Sequence, residues 1–388
     1  MADRSLIFPA DEYQQRTARL QRSMDQNGID ALLLTTAPDV FYVTGFLTRF
    51  WESPARPWYV VVPSHGEPIA VIPTIGADLI QRTWIKDIRT WQAPNPRESG
   101  VALLSDALRD VVSERGCIGV PMGLETQLRM PLADYFELEK TVTPRTLVDA
   151  TACVQRVRER KSEAEIAKLR HICNVAGQAF DTVPSFAATG VGLDQVFAEF
   201  QIACLCAGAD WISYVAGAAG QGGYGDVISP ADARPLVAGD VLMLDTGAVC
   251  DGYFCDFDRN YAIGPPGDAA ARAYDALWQA TQEVLGTITP GQRACDAHQM
   301  LCDALVRQGA EPGGGRLGHG LGLSLTEWPS ISAVDETELV EGMVLTLEPS
   351  AIIAPGKIMV HEEVVVLRSD KAELLSPRAP AQMPVILP

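Results

Sequence analysis

The chain has 388 residues, 47% of them hydrophobic, and a formal net charge of −18. That length suggests two domains with sizeable cores. The acidity, with no basic stripe to offset it, argues against nucleic acid and anionic membrane surfaces as partners. The opening MADRSLIFPADEYQQR is polar and unlike a signal peptide, and no apolar stretch is long enough to span a bilayer, so a cytoplasmic location is expected. The nine cysteines are odd in number and include no C-x-x-C pair. Reduced core thiols, rather than a disulfide framework or a zinc knuckle, are the expectation.

Residues 1 to about 150 alternate between strand and helix patterns. Ala10 to Asn27 reads as a helix ended by Gly28, and Ala31 to Leu34 as a short apolar strand. Trp58 to Val62 and Ile69 to Ile72 form a strand pair around SHGEP, Val101 to Val112 is a helix, and CIGVPM is a further strand. This predicts an α/β domain over residues 1–155. Ser162 followed by Glu165 is a capping box, where a helix restarts. A second, α+β domain is expected over 156–388, with helices at 163–182, 192–206, 268–288 and 295–308 and glycine-rich loops at 217–225 and 311–322.

The stretch LDTGAVCDGYFCDFDRN, residues 244–260, carries four aspartates beside an apolar run. Asp251-Gly252 is a hairpin signal. A turn centred on 250/251 pairs 245 with 256, and one centred on 251/252 pairs 245 with 258. Either register puts Asp245, Asp256 and Asp258 on one face and Cys250 and Cys255 on the other. Such carboxylates repel and take up protons unless neutralised. A solvated edge with Arg259 as counter-ion is the plain alternative to a metal site. In GMVLTLEPSAIIAPGKIMVHEEVVVL a second strand pair, turning at Pro355-Gly356, places Glu348 and Glu362 nearly opposite one another among apolar residues. His319, one of five histidines, sits between Gly318 and Gly320, which let the backbone crowd a site. Four carboxylates and one imidazole would balance two divalent ions, held about 3.5–4 Å apart by bridging carboxylates. An oxygen-rich set with one nitrogen and no sulfur suits Mn, Fe, Co or Zn.

Asp245, the eleven-residue step to Asp256, His319, Glu348 and Glu362, with LDTGA, HGLGL, LEPS and HEE in order, resemble the ligand set of the pita-bread metallopeptidase superfamily. That group includes methionine aminopeptidase, Xaa-Pro aminopeptidase, prolidase, creatinase and ectoine hydrolase. The resemblance covers about residues 160–388 and implies a pita-bread catalytic domain behind a creatinase-like N-terminal domain. It implies that Asp245 holds one ion, that His319 and Glu348 hold the other, and that Asp256 and Glu362 bridge. Glu348 would shuttle the proton of the attacking water, with Glu362 and His319 completing the catalytic set. Asp258, Thr326 and Glu327 are expected as an outer shell.

The departures are specific. The peptidases carry a second histidine seven residues after the ligand, where this chain has Thr326 in TEWP, and another upstream, where AGQGGYGDVISPADARPL has none. Tyr224 or Thr326 would stand in as a neutral donor. The resemblance therefore implies a metal-dependent hydrolase that cleaves a C–N bond in a dipeptide or in a creatine- or ectoine-like molecule. A lyase on the same scaffold is a weaker alternative, because the extra aspartate of the lyase pattern is Gly247 here. A non-catalytic peptide-binding domain is weaker still, because all five ligand positions are kept. The segment GFLTRFWESPARPWYVVVP packs Arg49, Trp51 and Arg56 into what reads as a short loop between strands. Dimeric relatives border a neighbour's pocket with their small domain, so these three residues are expected to bind substrate across a homodimer, with a guanidinium meeting a carboxylate.

Overall fold

The computed structural model describes residues 7–97 and 99–387. The chain divides into two compact units, Met1–Arg158 and Glu159–Pro388. The division falls in the break between two helices, which end at Arg158 and restart after Ser162. The Ser162 side chain accepts from Glu165 N while the Glu165 side chain accepts from Ser162 N, so the capping box is complete.

Unit one is a six-stranded sheet of β1 (Ala31–Leu34), β2 (Tyr59–Pro63), β3 (Ile69–Pro73), β4 (Asp87–Trp91), β5 (Cys117–Val120) and β6 (Thr146–Asp149). Its order is β4-β3-β2-β1-β5-β6. The first three strands are mutually antiparallel, and the other three run parallel to their inner neighbours. Helices α1 (Ala10–Asn27), α2 (Ala37–Thr44), α3 (Ala77–Ile80), α4 (Val101–Val111), α5 (Leu132–Val142) and α6 (Thr151–Arg158) accompany it. The continuous apolar runs of β1, β2, β3 and β5, buried on both faces, made them legible. The edge strands β4 and β6, DIRTW and TLVD, are half-exposed and carry charge, so they lack that signal. Residues 45–58 correct an expectation. They lead from helix α2 to β2 through one helical turn at Phe50–Glu52, not from strand to strand.

Unit two opens with α7 (Glu163–Thr182) and α8 (Leu193–Ala207). A sheet follows from β7 (Trp211–Gln221), β8 (Asp240–Cys250), β9 (Tyr253–Phe254) and β10 (Phe257–Ile263). After α9 (Asp268–Leu285) and α10 (Ala294–Arg307) come β11 (Glu311–Pro312), β12 (His319–Gly320), β13 (Glu327–Ser330), β14 (Val344–Leu347), β15 (Ser350–Ala354), β16 (Lys357–Val360), β17 (Glu363–Leu367), β18 (Ala372–Leu374) and β19 (Val385–Ile386). The sheets are β19-β10-β8-β7 with β9 on β8, β11-β15-β16, and β13-β12-β14-β17-β18. The expected 217–225 loop is shorter than its glycines suggested, because β7 continues to Gln221. One core joins α9 and α10 to the inner faces of these strands through Leu277, Leu301, Met343, Leu345 and Met359. Its apolar content is what allows polar groups to be held dry on the opposite side.

Both hairpins are in register for a site. Asp245 pairs with Asp258 and Thr246 with Phe257, which selects the turn at 251/252. Asp251 (φ +53°) and Gly252 (φ +84°) are both left-handed, as a type I′ turn requires. In the second hairpin Leu347 pairs with Glu363 and Ser350 with Val360, so Glu348 and Glu362 face one another where the strand pair passes from one sheet to the next. All nine cysteines are free thiols, with Cys250 and Cys255 buried.

Candidate metal centre

The two hairpins and His319 deliver their polar groups to one place. His319 Nε2 lies 3.2 Å from Asp256 Oδ2 and 3.9 Å from Glu348 Oε1. Asp256, His319 and Glu362 each offer a ligand atom within 4.8 Å of the others. Asp245 joins through Tyr214, whose hydroxyl is 3.1 Å from Asp245 Oδ2 and also bonds Asp256 Oδ1. The His319 ring is preset: Nδ1 donates to Gly320 O at 2.8 Å, which turns Nε2 toward the carboxylates. Gly318 (φ +147°) permits the close strand approach there, since a Cβ would sit 2.2 Å from Thr346 O.

The donor set lacks positive charge. Asp245 Oδ1, Glu362 Oε1 and Asp258 Oδ1 are buried without a hydrogen-bond partner. Leaving such oxygens dry and unpaired costs about 1–3 kcal/mol each, and more when charged. Burial, with Asp256 and Asp258 adding repulsion, pushes the Asp245 carboxyl well above its ordinary range. Burial, then Asp256, Glu348 and Asp245, does the same to Glu362, and burial chiefly raises Glu348. Burial alone would lower the His319 imidazole, but the Asp256 bond and the Glu348 charge more than offset it and raise its proton affinity. These groups fit divalent cations, whose charge would displace the protons that the cluster otherwise takes up.

The outer residues divide. Asp258 faces Asp245, and its Oδ2 accepts from Asn260 Nδ2 at 2.7 Å. Asn260 is itself fixed by Val360 O and by the Tyr224 hydroxyl, which also accepts from Val360 N. Tyr224 is therefore buried and spent on tying β10 to β16, which removes it as a donor to substrate. Among the described residues Arg259 makes no direct ion pair with the aspartates. Its guanidinium bonds the backbone oxygens of Asp258, Glu362 and Pro377 and pairs with Glu363 at 3.2 Å, so it clamps the two ligand strands from behind. Glu327 pairs with buried Lys161 at 3.0 Å and accepts from Leu323 N and Ser324 N, holding the loop after His319 rather than a ligand. Thr326 is exposed beside it. In unit one, Arg49 pairs with Glu52, Arg56 stacks over Phe50, and Trp51 lies under Arg129. Arg129 also donates to the carbonyls of Trp51, Ser53 and Arg56, which fixes the shape of that segment.

Sequence reasoning missed two residues. Tyr214 reaches the aspartates from a bulge in β7 between Ile212 and Val215, and bulges re-aim side chains without leaving a sequence mark. Arg316 lies beside Glu348, its Nε 3.4 Å from Oε1. Its signal was available, as the one cation next to the histidine motif, in GGGRLGHG.

Comparison with known proteins agrees. The metallopeptidase family M24 pattern matches residues 167–369, and the Creatinase/Prolidase N-terminal domain pattern matches residues 16–160. An Xaa-Pro dipeptidase from Pyrococcus horikoshii is 24% identical over 94% of this chain and 97% of its own. A probable dipeptidase PepE from Mycobacterium tuberculosis is 27% identical over 94% of each. The crystal structure of dipeptidase PepE from Mycobacterium ulcerans, 26% identical, superposes with a TM-score of 0.84 over 98% of this chain and all of that one. A prolidase from Thermococcus sibiricus, 21% identical over 96% of this chain and 99% of its own, shares the fold with a TM-score of 0.85. With more than half its length matched, and with a creatinase-type domain in front of a pita-bread catalytic domain, the chain belongs to metallopeptidase family M24 and is a metal-dependent hydrolase of amide bonds.

Proposed function

We propose that this hydrolase uses two divalent ions to cleave dipeptides, with Asp245, Asp256, His319, Glu348 and Glu362 as ligands. The observation that carries the reading is the cluster of buried carboxylates with unpartnered oxygens around His319 Nε2. Asp245 would hold one ion, His319 and Glu348 the other, and Asp256 and Glu362 both. Such a pair polarises a substrate carbonyl and makes water nucleophilic near neutral pH. The protein's own share is positional and protonic. Tyr214 keeps the two aspartates at a fixed spacing, and His319 presents one nitrogen. Glu348, whose proton affinity burial raises, takes the proton of the attacking water and passes it to the leaving amine. Its side chain is 20% exposed, so it opens to the substrate side, whereas Asp256 and Glu362 are buried. Named relatives that act on dipeptides support that substrate class.

The test is metal analysis joined to a substrate panel. Purified protein reconstituted with Mn, Fe, Co or Zn should hold about two ions per chain, cleave Gly-Pro, Ala-Pro or Ala-Ala, and stop on addition of a chelator. Turnover of creatine or a cyclic amidine with none of the dipeptides cleaved would overturn the substrate. Full occupancy in Asp256→Ala would overturn the ligand set.

A further inference from the structure

Three successive glycines precede Arg316. Gly314 (φ +79°) and Gly315 (φ +82°) take left-handed backbone one after the other, a path that side chains disfavour. His298 Nε2 holds the turn by donating to Gly315 O at 3.0 Å. The path ends with the Arg316 guanidinium at the open edge of the cluster. Nε is 3.4 Å from Glu348 Oε1, and the side chain is 39% exposed. Among the described residues neither Nη1 nor Nη2 of Arg316 has a partner. The other cations behind the site are committed. Arg259 makes four contacts to Asp258, Glu362, Glu363 and Pro377, and Arg378 is bound by His361, Glu363 and Trp278 O. Lys161 is buried on Glu327.

We propose that Arg316 receives the substrate's free carboxylate, so that the enzyme selects dipeptides over longer or amidated peptides. This rests on the reading of the Asp245–Glu362 cluster as the hydrolytic centre. A guanidinium whose two terminal nitrogens are free presents a planar fork that matches a carboxylate bidentately. In a dipeptide the carboxylate carbon is three bonds from the scissile carbonyl carbon, on the order of 3–4 Å. A cation in contact with Glu348, the group that handles the proton, is near enough to the scissile bond to meet a carboxylate placed there. A longer peptide places a neutral amide there and gains nothing from the charge. The fork also offsets the repulsion that a cluster of carboxylates exerts on an anionic substrate.

The experiment compares Ala-Pro with its C-terminal amide on metal-loaded wild type, Arg316→Gln and Arg316→Lys, alongside calorimetric binding of L-proline and L-prolinamide. Wild type should prefer the acid by about 10–100-fold in kcat/KM, the range of one charged contact. Arg316→Gln should erase that preference through KM for the acid, with the ions per chain unchanged. Arg316→Lys, which keeps the charge without the fork, should restore part of it. Proline should bind wild type better than prolinamide, and Arg316→Gln should bind both alike. Equal loss on acid and amide would mean that Arg316 acts only through Glu348, and would overturn the proposal. So would retention of the preference in Arg316→Gln with its loss in Arg49→Gln or Arg56→Gln. If wild type cleaves neither peptide, the hydrolytic reading fails, and the difference between proline and prolinamide still decides Arg316.

Discussion

A Cβ on Gly247 would lie 2.4 Å from Cε1 of Tyr214, so the absence of a side chain at 247 is what admits the tyrosine ring to the site. The ring occupies the ligand face beside Asp245, and its hydroxyl spans Asp245 and Asp256. Burial, then the charges of Asp245 and Asp256, drives the phenol well above its ordinary range, so it stays a donor. Tyr214→Phe should fold normally and weaken metal affinity about 10–100-fold, the scale of lost outer-shell bonds. Gly247→Ala should do at least as much by displacing the ring. Calorimetric metal titration measures both, and unchanged affinity in Tyr214→Phe would remove the phenol from the account.

Asp258 faces Asp245 directly, yet one of its oxygens has no partner. Burial, opposed by Arg259, pushes its carboxyl to about 8. Asp258→Asn retains an acceptor for Asn260 and should keep the fold while costing about 10–100-fold in metal affinity. A metal-loaded crystal structure with Asp258 in direct coordination would contradict the outer role given to it here.

Thr326 stands exposed where the peptidases carry an imidazole. Tyr214 and Arg316 already stand beside the carboxylates as donors, so restoring the ring alone adds little. Thr326→His should change kcat/KM on Gly-Pro by less than about tenfold, which is about 1.4 kcal/mol. A larger gain in steady-state assays would show that the substituted position limits the wild type.

His361 predicts an acid-sensitive stability. Burial, opposed by Glu363, lowers its imidazole to about 3, and Nε2 accepts from Arg378 Nη1 at 2.7 Å. Arg259, Tyr274 and Glu363 complete its polar surroundings. The unfolded chain takes up this proton near pH 6.5, and the folded chain only near 3. The unfolded state therefore binds more protons in that window, and stability falls as pH drops through it. At pH 5 the loss is about 2 kcal/mol. His361→Gln keeps an acceptor for Arg378 and should lack this part of the slope. Urea denaturation of chelator-treated protein at pH 7 and pH 5 reads the difference, and equal slopes in variant and wild type would sink the prediction.

Much of the site is local chemistry, and so the sequence by itself determined it. Alternation along a strand places Asp245, Asp256 and Asp258 on one face whatever the register, and the Asp-Gly and Pro-Gly turns bring the two strands of each hairpin together. The same logic puts Glu348 opposite Glu362, and the capping box at Ser162 sets where α7 begins. Family motifs added His319 to the set, and the matches over residues 16–160 and 167–369 agree with the family. What only the tertiary structure decided depends on contacts between distant segments. It chose the 251/252 register, because Asp256 then falls opposite Gly247, where the Tyr214 ring needs room. It recruited Tyr214 through a bulge, turned Tyr224 inward to Asn260, and set Arg259 on Glu363 instead of on the aspartates. It also brought Arg316 to Glu348, 32 positions later in the chain. Side-chain alternation and turn type are fixed by a few neighbouring residues. The partner of a buried charge is fixed by which strands pack together, because a dry interior leaves that charge no water to choose instead.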